Sequence, residues 1–308
     1  MSVRSQGTWR IALAALGTIA VTAPALRAQG ALERCGLRIP VSEQRGYVGL
    51  PTGDLFCPLL ADPKAMRSFL SYQRTIEESD SLSSIGSVGI ADQFGLARWG
   101  GSTRGNGVQL SLEGAVFAQF DLGSESFDLL NADYLVGLPL TIRRDAFAMR
   151  LRVYHQSSHL GDEFLLRSDH PERVNLSFEA ADVLLSVDGP VRLYGGGEFL
   201  FHRSPEALQK FVAHAGAELR RATPLINLGP TVGGVRPVLA VDLKAAQEQD
   251  WDPAISARAG LEFERTREAD PPSRRWSLML ESYRGPSPYG QFFRQKIQYV
   301  GLGMHFTL

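Results

Sequence analysis

Beyond its first twenty-odd residues, the 308-residue chain has no long apolar run. A membrane-crossing helix needs about 20 such residues, so a helical membrane protein is excluded. Cysteine is almost missing, with Cys35 and Cys57 alone. No small-residue lipidation motif precedes Cys35, where Leu32-Glu33-Arg34 stands instead, which argues against a lipid anchor. Excess base is absent too. Thirty-two Lys and Arg face thirty-three Asp and Glu, for a formal charge of −1. Nucleic-acid partners are thereby disfavoured, because they require a basic stripe or patch.

What is present begins with an export signal. Arg4 and Arg10 precede an apolar stretch from Ile11 to Val21, and small residues follow at Ala23, Ala25 and Ala28. This is the layout of a secretory signal peptide over residues 1–28, too short for a membrane anchor. Cleavage removes three arginines and no acids, taking the formal charge from −1 to −4. In an oxidising compartment Cys35 and Cys57 could pair, and the spacing leaves open a disulfide or two separate thiols.

The remainder alternates with period two. Val108, Leu110, Leu112, Val116, Phe120 and Leu122 share one face, against Gln109, Ser111, Glu113, Phe117, Gln119 and Asp121. Tyr134, Val136, Leu138, Leu140 and Ile142 oppose Asn131, Asp133, Thr141 and Arg143. Phe147, Met149, Leu151 and Val153 oppose Arg150, Arg152, Tyr154 and Gln156. Similar faces recur at 174–179, where Val174, Leu176 and Phe178 are set on the apolar side, and at 191–194, 239–244 and 255–264. Weaker candidates lie at 66–76, 86–98, 209–221 and 274–284. The final strand, Tyr299 to Leu308, resembles the C-terminal insertion signal of outer-membrane barrels, with Leu in place of the usual Phe. The count is twelve, an even number that suits a closed antiparallel transmembrane β-barrel. A soluble barrel or sandwich would show the same alternation with its apolar side inward. Strands of 12–15 residues and nearly charge-free apolar faces favour the membrane. Three features resist the scheme: Pro139 and Pro237 inside strands, the Gly195-Gly196-Gly197 run, and a helix-start pattern at Ser204-Pro205-Glu206. The expected division is a signal at 1–28, an N-terminal periplasmic segment at 29–64 and a barrel at 65–308.

With both termini in the periplasm, the stretches 123–128, 160–172, 203–208, 247–253 and 285–295 fall outside the cell. Inward-facing Glu113, Asp121, Asn131, Asp133, Arg150 and Arg152 are expected to form a salt-bridged lumen network. The outer rim gathers His155, Ser157, His159, Asp162 and Glu163. His155 and Ser157 continue the lipid-facing row, about 6.6 Å apart at Cα. A His-x-Ser pair on the outer wall resembles outer-membrane phospholipase A and the lipid A 3-O-deacylase barrels. That resemblance implies Ser157 as nucleophile and His155 as base, with Asp169 at the spacing of the third member. An alternative is a divalent-cation site, calcium being one such ion, from His155, His159, Asp162 and Glu163. In a straight strand the two histidines stand about 13 Å apart, so that site needs the chain to turn after Ser158. The bland reading is a hydrogen-bonded rim cluster.

Several motifs together resemble a bacterial domain-of-unknown-function family, number 1207. They are residues 51–56 (Pro-Thr-Gly-Asp-Leu-Phe), 58–64, 114–120, Asn131-Ala132-Asp133-Tyr134, His155 to Phe164, and Ser287 to Phe292. The resemblance implies a secreted outer-membrane barrel and carries no established activity. Three functions stay open: a structural or transport barrel, an outer-membrane acyl-ester hydrolase, and a ligand- or cation-binding rim. Expected partners are outer-membrane lipid and, through the last strand, the barrel-insertion machinery.

Overall fold

A computed structural model describes Leu32, Cys35, Leu37, Ile39 and Glu43, and residues 45–76, 84–103, 105–166, 173–221, 223–265 and 275–307. The signal region 1–28 and Asp169 lie outside the described residues.

Period-two alternation produces strands, and their edges must be closed if the apolar side is to sit in hydrocarbon. In chain order the strands are β1 (Gly46–Gly49), β2 (Ser68–Thr75), β3 (Ser84–Gly100), β4 (Gly107–Asp121), β5 (Leu129–Arg144), β6 (Phe147–Leu160) and β7 (Leu176–Val187). They continue as β8 (Val191–Ser204), β9 (Phe211–Arg220), β10 (Ile226–Asn227), β11 (Gly234–Ala246), β12 (Pro253–Glu264), β13 (Arg275–Pro286) and β14 (Lys296–Thr307). All pairings are antiparallel, each long strand bonds to its neighbours in sequence, and β14 closes on β2. Among the described residues, twelve long strands form one closed barrel, with β1 and β10 as short additions on β3 and β11.

Polarity is inverted relative to a water-soluble core. On β13, Leu280 is 67% exposed while its neighbour Glu281 is 4% exposed. The same inversion recurs at Val300, Leu302, Met304 and Phe306 outside, against His305 inside. Apolar side chains left on the outer surface are stable only against lipid, and the enclosed charges must be paired. This inversion separates a membrane barrel from the soluble alternative.

The resisting features have local solutions. Pro139 lies where the β4–β5 ladder skips two rungs, between Leu110↔Leu140 and Glu113↔Gly137. Pro237 pairs with Leu261 of β12, but β9 pairing begins only at Val238↔Arg220, so its missing N–H costs no rung on that side. The glycine run remains within β8. A Cβ on Gly196 would come 1.9 Å from the Val183 carbonyl oxygen, so the strands need glycine there. No helix forms at Ser204-Pro205-Glu206, where the β8–β9 connection is a turn.

The N-terminal segment departs furthest from expectation. Instead of standing below the barrel, residues 54–67 run through its lumen. Arg143 of β5 donates to the Leu55 carbonyl at 2.6 Å, and Arg192 of β8 to the Cys57 carbonyl at 2.8 Å. Leu60 N–H donates to Glu218 of β9 at 2.6 Å, and Asp62 meets Lys244 of β11 at 3.1 Å. Lys64 then pairs with Asp133 of β5. Cys35 and Cys57 form a disulfide with Cα atoms 5.8 Å apart. It ties the plug to the preceding segment, where Leu32, Cys35, Ile39 and Leu55 pack together.

Candidate functional site

Cross-strand register builds a polar row on the outer wall. His155 of β6 sits opposite Glu179 of β7, which sits opposite His202 of β8. Glu179 Oε1 lies 2.7 Å from His155 Nδ1, and Glu179 Oε2 accepts from His202 Nδ1. A carboxylate accepts only, so the proton of His155 is held on Nδ1 and Nε2 presents its lone pair. Ser157 follows two residues along β6 on the same outward face, half-buried and opposite Ser177. Below this row on β7 the outward side chains are Val183, Leu185 and Val187, all exposed. The polar row therefore marks the edge of the apolar belt at the end away from the termini.

Glu179 is the residue that sequence reading missed. Setting Leu176 and Phe178 on the lipid side misassigned the start of β7. Leu176 is buried at 4%, and both it and Phe178 line the lumen. Counting back in twos from Val187, through Leu185, Val183 and Ala181, places Glu179 outward, which is the signal that would have found it. The cation alternative is not assembled. His159 packs its ring edge-on against Tyr134 at 5.8 Å, and Asp162 and Glu163 begin a single helical turn, Asp162–Leu165. Among the described residues no three His, Cys, Asp or Glu side chains are placed to hold a metal ion.

The lumen network is also rearranged. Arg152 bonds Glu113 at 2.9 Å and shares Asp182 with Arg150. Asp121, Asn131 and Asp133 do not reach these arginines. Asp133 is opposite Ser158, while Arg152 is opposite Pro139, six residues or about 20 Å along the strand. Asp121 instead accepts from Gly123 N–H at 2.9 Å in its own turn. Asp133 meets the plug: Lys64 pairs with it, and the Lys64 ammonium lies 4.6 Å from the Phe117 ring and 4.5 Å from the Tyr289 ring.

The 287–295 connection folds into the same place from the other end. Gly290 N–H donates to Asp133 at 3.1 Å, Gln291 N–H to Asn131 at 3.2 Å, and Gln291 Nε2 to the Ser158 carbonyl at 2.7 Å. Tyr289 hydrogen-bonds Ser87, and burial, as the largest influence, raises its phenol to about 12. Lys64 and the segments 114–120, 131–134, 155–164 and 287–292, remote in sequence, thus meet toward one barrel end, while residues 51–58 lie toward the other. A family match over residues 40–308 spans the same segments, with the description "Protein of unknown function (DUF1207)". The chain belongs to the DUF1207 family.

No curated protein matches this DUF1207 chain. Among solved structures it is similar to outer membrane phospholipase A from Escherichia coli, crystallised as an active-site mutant. The identity is 14%, the TM-score 0.52, and the match covers 92% of this chain and 99% of that one. It is also similar to the calcium-bound dimer of the Salmonella typhi phospholipase, at 14% identity and TM-score 0.51, covering 78% of this chain and 90% of that one. At this identity the likeness is one of fold: a twelve-stranded barrel of the outer-membrane type.

Two cavities flank the plug. An outer one of about 210 Å³ has apolar walls that include Leu176, Phe178, Leu200 and Phe293. An inner one of about 140 Å³ lies against Phe56, Leu59, Met66 and Arg67. Asp62, Lys64 and Arg152 line both and divide them.

Proposed function

We propose that this DUF1207 barrel is an outer-membrane acyl-ester hydrolase acting from its outer wall, with Ser157 as nucleophile, His155 as base and Glu179 as the residue that orients His155. The observation that carries this is the 2.7 Å contact from Glu179 to His155 Nδ1. It holds the imidazole in the tautomer whose Nε2 can take the Ser157 proton. The cluster stands where a lipid ester bond would lie, at the boundary between the apolar belt and the polar rim. The fold neighbours described as phospholipases are consistent with such a substrate. A lumen crossed by residues 54–67 favours wall chemistry over an open pore.

The reaction would begin with attack of Ser157 Oγ on the acyl carbonyl as its proton passes to His155 Nε2. Collapse of the tetrahedral intermediate expels the alcohol, which takes that proton, and leaves the acyl group on Ser157. Water, deprotonated by His155, then releases the fatty acid and restores the serine. Glu179 stabilises the imidazolium formed in both halves.

The test compares purified protein in detergent with Ser157→Ala and His155→Ala, against phospholipid and lipopolysaccharide, with and without calcium. Hydrolysis by the wild type that both substitutions abolish is expected. Equal rates in all three proteins, or none in the wild type, would remove the hydrolase.

A further inference from the structure

The inner cavity contains a buried charge with no acid in direct contact. Arg67 is 5% exposed, and its guanidinium donates to the Leu60 carbonyl at 3.5 Å and to Ser277 Oγ at 3.3 Å. Among the described residues no carboxylate lies within ion-pairing distance of it. Burial, with Arg220 and Arg258 nearby, outweighs the more distant Glu262 and Glu218 and pulls Arg67 down to about 10, still charged at neutral pH. Buried charges are ordinarily paired, since desolvating a lone ion costs several kcal/mol. Arg150 lines the same cavity and reaches its partner Asp182 at 3.3 Å, a long contact for a charged pair. Two of the three acids on the cavity wall are committed elsewhere, and the third, Asp92, stands at its outer edge. Asp62 is held by Lys244, and Asp54 accepts from Gln93 and Thr141 while burial raises its carboxyl toward the neutral form.

The same cavity reaches the outer wall. The β2–β3 ladder ends at Phe69↔Gly89, whereas β3 runs on to Gly100 and meets β1 only from Ala97. The Ser68 hydroxyl closes the next position, bonding Ala91 N–H at 3.2 Å and its carbonyl at 3.1 Å. Beyond it, Asp92–Gly95 have no strand partner on that side among the described residues. Lumen-facing Gln93 and the adjoining Asp92 and Phe306, whose side chains point outward, all border the cavity at this seam. Asp92 stands exposed between Ile90, 69% exposed, and Phe94, 56% exposed. A carboxylate in the middle of an apolar lipid-facing row marks a break where water enters.

We propose that the inner cavity binds a single-chain anionic amphiphile, its head paired with Arg67 and Arg150 and its tail leaving beside Asp92–Gly95 of β3, past the start of β2. The Arg67 guanidinium, with no carboxylate in contact, offers the anion its partner. Apolar Leu59, Met66, Ala91 and Phe306 receive the chain. A fatty carboxylate and an alkyl phosphate share the required chemistry.

The test uses the full protein in lipid nanodiscs with a hexadecanoate that carries a photoreactive diazirine on its chain, and peptide mapping of the label. Label on residues 59–66, 91–93 or 306 is expected, displaced by unlabelled hexadecanoate, hexadecyl phosphate or both, whichever head the site prefers. Hexadecyltrimethylammonium should not displace it. Arg67→Gln and Arg150→Gln should each cut specific labelling about tenfold or more, as loss of a charged contact does. Ala91→Trp, which fills the opening, should do likewise. If Arg67→Gln fails to fold, Arg150→Gln and Ala91→Trp decide the matter. Label spread evenly over the lipid-facing wall, displacement by the cation equal to that by the anions, or labelling unchanged in the folded variants would overturn the proposal. The variants lie apart from Ser157, His155 and Glu179, so ester hydrolysis reads out independently.

Discussion

Glu179 and His155 meet across the β6–β7 ladder, carboxylate oxygen to imidazole Nδ1 at 2.7 Å, on the lipid-facing wall. The partnership exists because the two strands run antiparallel in a register that puts position 155 opposite position 179. Neither residue needs the lumen, and neither is buried, so the contact adds little to stability.

That last point separates catalysis from structure. Glu179→Gln keeps the size and the hydrogen-bond acceptor but removes the charge that steadies an imidazolium. Hydrolysis by the variant is expected to fall about 10²- to 10⁴-fold. Its thermal unfolding midpoint should stay with the wild type. Parallel rate measurements and melting curves on one preparation check this.

Lys64 is the pin between the plug and the wall. Its side chain is 11% exposed and that of Asp133 is 1% exposed. Lys64→Met leaves Asp133 with an unbalanced charge, a loss of about 3–5 kcal/mol by precedent for broken buried pairs. The double variant Lys64→Met/Asp133→Asn should recover most of that. Denaturant unfolding followed by tryptophan fluorescence measures both, and an unaltered single variant would show the plug to be held elsewhere.

Gly290 tests how closely the 287–295 connection fits. A Cβ there would lie 2.6 Å from Ser158 Cβ and Oγ and 2.9 Å from Leu176 Cδ2. Short side chains on a strand cannot yield far, so Gly290→Ala should push the connection outward and weaken its bonds to Asp133 and Asn131. A cost of about 1–3 kcal/mol is expected, with faster protease cleavage in 287–295 as the direct readout.

Acid should release the plug late. Burial alone would raise the Asp62 carboxyl, but the Lys244 ammonium, with His214 beyond it, outweighs burial and holds Asp62 well below the usual carboxylate range. A folded-state value below the unfolded one contributes stability that is complete above the unfolded value. That contribution is lost as pH falls through the folded value. The difference in melting temperature between wild type and Asp62→Asn should therefore stay constant from pH 7 to about pH 4.5 and shrink below about pH 4. A gap that closes already near pH 6 would point to a different ionising group.

The sequence by itself determined the barrel, because the period of alternation is a local property of each strand. Twelve strands, the outward faces of β4, β5, β6 and β14, and the lipid-facing row of His155 and Ser157 could all be read from it. Tertiary structure alone decided the partners. Glu179 becomes visible only with the register of β7, because Leu176 and Phe178 at its start turn apolar side chains into the lumen. Arg152 took Asp182 rather than Asp133 because stagger between strands sets pairing at distances no spacing rule encodes. Residues 54–67 carry no periodic signal, so their course through the lumen follows from charges contributed by β5, β8, β9 and β11. Those charges come together only when the sheet closes.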